Sequence, residues 1–154
     1  MRYKRSKTQL YIHIVWATHQ RLPLVTPDIE RPLYRCISEI CQRNSCDVLA
    51  IGGMPDHVHL FVLLSPKTSI SKLVKDVKGG SSHFVSMCLK PGEWFAWQNH
   101  YGAFSIALRD KDKIIHYILN QKRHHAEGSL YPDGEETDED SDKDIPELTS
   151  FDPV

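Results

Sequence analysis

The sequence predicts an α+β fold: a ferredoxin-like (RRM-like) split β-α-β with an antiparallel sheet and an added C-terminal helix that carries a tyrosine. Three observations predict it. Short runs rich in β-branched and aromatic residues alternate with longer stretches of helical periodicity, in the order β-α-β-β-α-β-α. The second and third strand-like runs are separated only by Gly52-Gly53-Met54-Pro55-Asp56, turn chemistry that folds them into an antiparallel hairpin. The sequence contains no internal repeats.

Residues 8–17, Thr-Gln-Leu-Tyr-Ile-His-Ile-Val-Trp-Ala, supply the first strand. After a turn with Pro23, Thr26-Pro27-Asp28 starts a helix, with a capping residue and a proline in its first turn. Ile29, Leu33, Ile37, Ile40 and Cys41 are its apolar stripe, and Pro32 leaves open whether the regular helix begins at Pro27 or only there. Residues 47–51 and 57–64 are the second and third strands. Val58, Leu60, Val62 and Leu64 share one face of the third; Phe61 and Leu63 lie on the other with two histidines, which marks a strand covered on both sides. Ile70, Leu73, Val74, Val77, Ser81, Phe84 and Val85 line one face of a second helix, with Lys72, Lys75 and Lys78 off that stripe. Gly79-Gly80 inside it marks a kink or a close approach. Residues 94–98 and 101–108 are strand-like, and Asp110 caps a last helix over residues 111–126.

A length of 154 residues suits one domain with a real core. No apolar run reaches the roughly 18 residues of a membrane span. The basic N-terminus leads into a strand without a small-residue cleavage site, so the expected compartment is the cytoplasm, with no membrane partner. The cysteines at 36, 41, 46 and 88 fit no zinc spacing and are expected to be reduced, small apolar residues. The net charge of −1 conceals an asymmetry. Residues 132–154 hold 10 acidic side chains and one lysine, a net of −9; residues 1–131 hold 18 basic and 10 acidic side chains, a net of +8. The expected organisation is therefore one basic folded domain at 1–131 and an acidic, disordered tail at 132–154. A basic domain suits a polyanionic partner such as nucleic acid.

Two short patterns carry the chemistry. His57 and His59 stand two apart on a strand, so both imidazoles point to one side. Tyr117 and Gln121 stand four apart on the last helix and are neighbours on one helix face. Taking Ile114, Ile115, Ile118 and Leu119 as the buried stripe, Tyr117 lies about 130° and Gln121 about 90° from its centre, with His124 in the same arc. Adjacent imidazoles on a covered face are costly unless paired or bound to a metal. Two imidazoles and an amide oxygen are competent ligands for Mg²⁺ or Mn²⁺, and a phenolate can attack phosphorus to leave a phosphotyrosine ester. Lys72, Lys75 and Lys78, with Arg2, Lys4, Arg5 and Lys7, are candidates to neutralise a nucleic-acid backbone. Trp94, Trp97, His100 and Tyr101 are candidates to stack on unpaired bases.

These residues carry a resemblance. Tyr11-Ile12-His13-Ile14-Val15-Trp16-Ala17-Thr18, Met54-Pro55-Asp56-His57-Val58-His59-Leu60, Ser71-Lys72-Leu73-Val74-Lys75 with Lys78-Gly79-Gly80-Ser81-Ser82, Trp97-Gln98, Tyr101-Gly102-Ala103-Phe104-Ser105 and Tyr117-Ile118-Leu119-Asn120-Gln121-Lys122-Arg123-His124-His125 are ordered motifs. Together they resemble the single-tyrosine HUH transposases of small bacterial insertion sequences (IS200-like) and the related REP-associated tyrosine transposases. The resemblance implies a dimeric, metal-dependent DNA transposase that cuts and rejoins single-stranded DNA at hairpin-bearing element ends. It implies Tyr117 as the nucleophile, forming a 5′-phosphotyrosine and freeing a 3′-hydroxyl. His57, His59 and Gln121 would bind Mg²⁺ or Mn²⁺, and in such dimers the tyrosine helix can complete the partner subunit's site. A relative that binds hairpin DNA or RNA without cutting is the alternative. The chain departs from the resemblance after His125, where the acidic tail replaces a basic or amphipathic segment.

Overall fold

The computed structural model describes residues 7–127. Within them lie β1 (Tyr11–Ala17), α1 (Pro27–Arg43), β2 (Asp47–Met54), β3 (His57–Leu63), α2 (Ile70–Phe84), β4 (Gly102–Ser105), α3 (Lys111–Leu119) and α4 (Gln121–Glu127). The four strands form one antiparallel sheet in the order β2-β3-β1-β4. This is the expected α+β arrangement, with β3 and β1 central. The acidic tail, Arg2, Lys4 and Arg5 lie outside the described residues.

Alternation along β1 and β3 divides the protein into two layers. Ile12, Ile14, Trp16, Val58, Leu60 and Val62 face one side and pack with α1 and α2. That core also holds Leu33 and Ile37 of α1 and Leu73 and Val77 of α2. Cys41 and Cys46 are buried there as free thiols, and burial pushes the Cys41 thiol up to about 12. On the other side, Tyr11 and Phe61 pack with Ile114, Tyr117 and Ile118 of α3.

Several elements differ from the sequence expectation for physical reasons. α1 begins at Pro27 and runs through Pro32, which stands inside its second turn and contributes no N–H to the helical ladder. β2 extends through Met54, so only Pro55-Asp56 separates it from β3. α2 continues unbroken past Gly79 and Gly80. Gly80 is a close approach, because a Cβ there would come within 2.6 Å of Ile40 Cδ1, whereas Gly79 faces open space. The strand-like run 94–98 makes one bridge, Thr18 to Trp97, and the run 101–108 pairs only over Gly102–Ser105. β4 is an edge strand whose partner β1 meets it over Ile12–Val15, so pairing stops there.

The last helix is the largest correction. Residues 111–126 do not form one helix; Asn120 breaks it into α3 and α4. The Asn120 side chain donates to His116 O (2.8 Å), a side-chain competitor for the helical ladder. Asp110 stands at the N-cap, but its side chain makes no capping hydrogen bond. The buried face is Ile114, Tyr117 and Ile118, while Leu119 is 62% exposed. A helix lying flat on β2 and β3 buries a wider arc than the aliphatic stripe alone, and the tyrosine falls inside it.

Candidate active site

The second layer gathers polar chemistry between β1, β3, α3 and α4. His57 and His59 both project from β3 toward α3 and α4, and both are fully buried. The His59 ring meets Tyr117 edge-on at 5.7 Å, and the His57 and His59 rings lie 5.1 Å apart. Gln121, at the start of α4, places Oε1 3.5 Å from His57 Nε2, and its Nε2 donates to Tyr117 O at 3.3 Å. Tyr117, His57, His59 and Gln121 are thus brought together as expected, although Tyr117 is only 1% exposed.

Two further side chains hold the imidazoles. His57 Nδ1 lies 2.7 Å from Asp56 Oδ1, and His59 Nδ1 lies 2.8 Å from His13 Nε2. With Nδ1 engaged on each ring, the nitrogen that could hold a metal is Nε2, and on His57 that atom faces the Gln121 oxygen. Metal-binding histidines characteristically have the distal ring nitrogen anchored in this way. The donor set of two imidazoles and an amide oxygen therefore fits a divalent ion of the Mn²⁺ or Mg²⁺ class. Among the described residues, no three His, Cys, Asp or Glu side chains converge as a metal cluster, so a metal held here would need the amide as well as the imidazoles.

Asp56 is electrostatically pinned. Burial alone would push its carboxyl up, but the hydrogen bond from His57 and the charges of His57 and Arg21 outweigh burial and hold it below the ordinary carboxylate range. His125, one turn beyond Gln121, lies 3.2 Å from Gln121 Oε1 through its Nε2, and its ring is 5.0 Å from that of His57.

The α3 backbone is seated by Gly52. A Cβ there would come 2.2 Å from Ile118 O, so only glycine lets β2 and α3 approach this closely. Lys122 ties α4 to the body, donating to Glu30 Oε1 (2.6 Å) and Gly53 O (3.4 Å).

The basic candidates stand elsewhere. α2 belongs to the opposite layer, where Lys72 Nζ bonds Asp76 and Asn44, Lys78 Nζ bonds the carbonyls of Gln98 and His100, and Lys75 is exposed. Lys7 is exposed, and Arg5 lies outside the described residues. Lys75, Lys78, Tyr101 and Gln98 line a groove of about 510 Å³ in that layer. Trp97 is corrected from a stacking surface to a core residue: it is buried, lies edge-on to Trp16, and donates to Ser81 Oγ at 2.9 Å. Trp94, at 59% exposure, is available at the surface.

Sequence reasoning missed His13, Asp56, Arg21 and His125 as parts of the site. The signals were present for three of them. His13 has the parity of the covered face on β1, Asp56 adjoins His57, and His125 follows Gln121 by one helical turn. Arg21 had no periodicity to reveal it, because it lies in an irregular turn.

Comparison with known proteins agrees with this fold. The chain is similar to the ISDra2 transposase TnpA of Deinococcus radiodurans, with 27% identity over 118 residues, covering 73% of this chain and 84% of the relative. A crystal structure from Deinococcus radiodurans R1, assigned as a transposase, superposes with a TM-score of 0.62 at 26% identity, covering 79% of this chain and 97% of that one. The REP-associated tyrosine transposase bound to a REP hairpin superposes with a TM-score of 0.59 over 81% of this chain and 74% of its own. At 18% identity that likeness is one of fold. The family model described as "Transposase IS200 like" matches residues 6–121, spanning every strand and both flanks of the histidine–tyrosine layer, and the chain belongs to that IS200-like transposase family.

Proposed function

We propose that the protein cleaves and rejoins single-stranded DNA at hairpin-bearing element ends through Tyr117, with a divalent metal held by His57, His59 and Gln121. The observation that carries the reading is the pair of buried imidazoles with Nδ1 anchored by Asp56 and His13, beside Gln121 Oε1 and 5.7 Å from the Tyr117 ring. Such anchoring fixes ring orientation and leaves Nε2 of each ring as the ligand atom, as metal-binding histidines require.

In this mechanism the Tyr117 oxygen attacks phosphorus and loses its proton, the bond to the 3′-oxygen breaks, and that oxygen takes up a proton to become the 3′-hydroxyl. The DNA 5′ end stays on Tyr117 as an ester, so the reverse attack by a 3′-hydroxyl needs no external energy source. A bound Mg²⁺ or Mn²⁺ supplies charge neutralisation at the phosphate. Asp56 and His13 keep the rings oriented, and His125 steadies the Gln121 amide. The hairpin end is the proposed partner, and a homodimer the proposed working form.

The test is a denaturing-gel assay with labelled hairpin oligonucleotides from the flanks of the gene, with Mg²⁺ or Mn²⁺, beside Tyr117→Phe. A metal-dependent protein–DNA adduct absent from Tyr117→Phe is expected. The burial of Tyr117 favours one second reading, a relative that binds hairpin DNA or RNA without cutting. Hairpin binding with no adduct under either metal would establish that reading instead.

A further inference from the structure

Arg21 lies in the turn His19–Arg21 that leaves the end of β1, where Ala17 pairs with His57. Gln20 and Arg21 both adopt left-handed backbone, with φ of 50° and 53°. Side chains other than glycine, asparagine and aspartate visit that region rarely, and such conformations concentrate where a site requires them. Here the turn is held from several directions. Thr18 N donates to Asp56 O (2.9 Å), Thr18 Oγ1 donates to Leu22 O (2.6 Å), His19 N donates to Ala96 O (3.0 Å), and Arg21 N donates to Thr18 O (3.1 Å). The result is a guanidinium brought to the rim of the histidine layer.

Arg21 Nε donates to Asp56 Oδ2 at 3.4 Å, while the other oxygen of the same carboxylate takes His57 Nδ1. Asp56 therefore orients an imidazole with one oxygen and a guanidinium with the other. Arg21 Nη2 stands 3.5 Å from His57 Nδ1. When His57 presents Nε2 to a ligand, Nδ1 carries the proton and donates to Asp56, so it is no acceptor for Nη2. A guanidinium has five N–H donors, and the bond to Asp56 uses one of them. The Arg21 side chain is 32% exposed, enough for a solvent-borne ligand to reach the rest. Planar, paired donors of this kind match phosphate oxygens.

We infer that Arg21 is a phosphate-binding residue that grips the backbone of the single strand as it enters the His57–His59–Gln121 site. The inference rests on the proposed function for the identity of the strand. Asp56 then serves twice, because its one carboxylate fixes the spacing between the imidazole and the phosphate grip.

The experiment measures affinity for a hairpin oligonucleotide with a single-stranded flank, without metal, across a range of salt. Arg21→Gln should bind about ten-fold more weakly and flatten the dependence of log K on log salt by about 0.7, the loss of one single-strand phosphate contact. The same hairpin without its flank should show no difference. Mn²⁺ affinity, followed by electron paramagnetic resonance, should stay at the wild-type value. An unchanged salt slope overturns the inference, as does loss of Mn²⁺ affinity with the slope intact, which would make Arg21 a prop for Asp56. Should Arg21→Gln fail to fold, wild-type protein is treated with phenylglyoxal. The flanked oligonucleotide should shield Arg21 from modification, and equal modification with and without DNA overturns the inference. A wild-type protein that forms no Tyr117 adduct yet keeps the Arg21-dependent slope would remove the catalytic reading alone. Adduct formation with no Arg21 effect would remove the phosphate grip alone.

Discussion

The two faces of one sheet are built to different rules. On the α1/α2 side, alternate residues of β1 and β3 are Ile12, Ile14, Trp16, Val58, Leu60 and Val62, and none of these six is ionisable. On the α3/α4 side, the intervening positions include His13, His57 and His59, set among Tyr11, Phe61 and Phe104. A shift of one residue exchanges the two sets completely. The same strands thus carry an apolar layer that supplies stability and a polar layer whose burial has to be offset by Asp56, Gln121 and mutual contacts between rings. Chemistry is tolerated on one face of these strands because their other face is apolar.

Substitutions can break this division of labour. The largest expected effect is Tyr117→Phe, which should lower adduct formation by about 10⁴-fold or more while leaving the melting temperature close to wild type. Its mirror image is Leu33→Ala in the apolar layer, expected to cost about 2–5 kcal/mol in denaturant unfolding, with unchanged cleavage per folded molecule. If Leu33→Ala impaired chemistry as much as stability, the layers would not be separate. His13→Phe keeps a ring of similar size but removes the anchor of His59. Titration with Mn²⁺ should show about 10–100-fold weaker binding.

Two glycine substitutions sharpen the comparison further. Gly52→Ala forces β2 against the Ile118 carbonyl and should destabilise by about 1–3 kcal/mol, with loss of cleavage because α3 must shift. Gly79→Ala, in open space on α2, should stabilise by about 0.5–1 kcal/mol and leave cleavage unchanged. The smallest effect concerns acid. Asp28 bonds Lys90 at 2.7 Å, which lowers its carboxyl from 3.8 to about 2. A carboxyl lowered by folding contributes stability above its unfolded value that is lost as pH falls through the folded one. Asp28→Asn should therefore flatten the decline in stability between pH 3.8 and about 2, measured by denaturant melts across pH.

Much of the architecture was legible because periodicity reports burial. β3 announced itself as central through apolar residues on both faces, and α1 and α2 through their stripes. The helical stripe misled at Leu119 and Tyr117, because α3 lies flat on β2 and β3 and its buried arc is set by that docking; the break at Asn120 is a local side-chain effect that no period encodes. The residues of the site that lie on regular elements, His57, His59, Tyr117 and Gln121, could be placed from spacing. Arg21 could not, since its pairing with Asp56 arises where the end of β1 meets the β2–β3 turn, a contact between residues 35 apart in sequence. The strand-like run 94–98 failed for the converse reason: its aromatic composition serves the core beneath α2, with Trp97 bonded to Ser81, and no sheet partner remains beside it except Thr18.

The 1% exposure of Tyr117 has a consequence for the idle protein. On the proposed reading, a phenol capable of opening any accessible strand is stored where no strand can touch it. Reaction then requires α3 or its surroundings to open, and every 1.4 kcal/mol or so that opening costs reduces stray nicking ten-fold. Substrate binding can recover that cost only by contacts made in the open form. Packing the nucleophile as a core residue would thus act as a safety catch, guarding the host chromosome during the long intervals between encounters with the right DNA end.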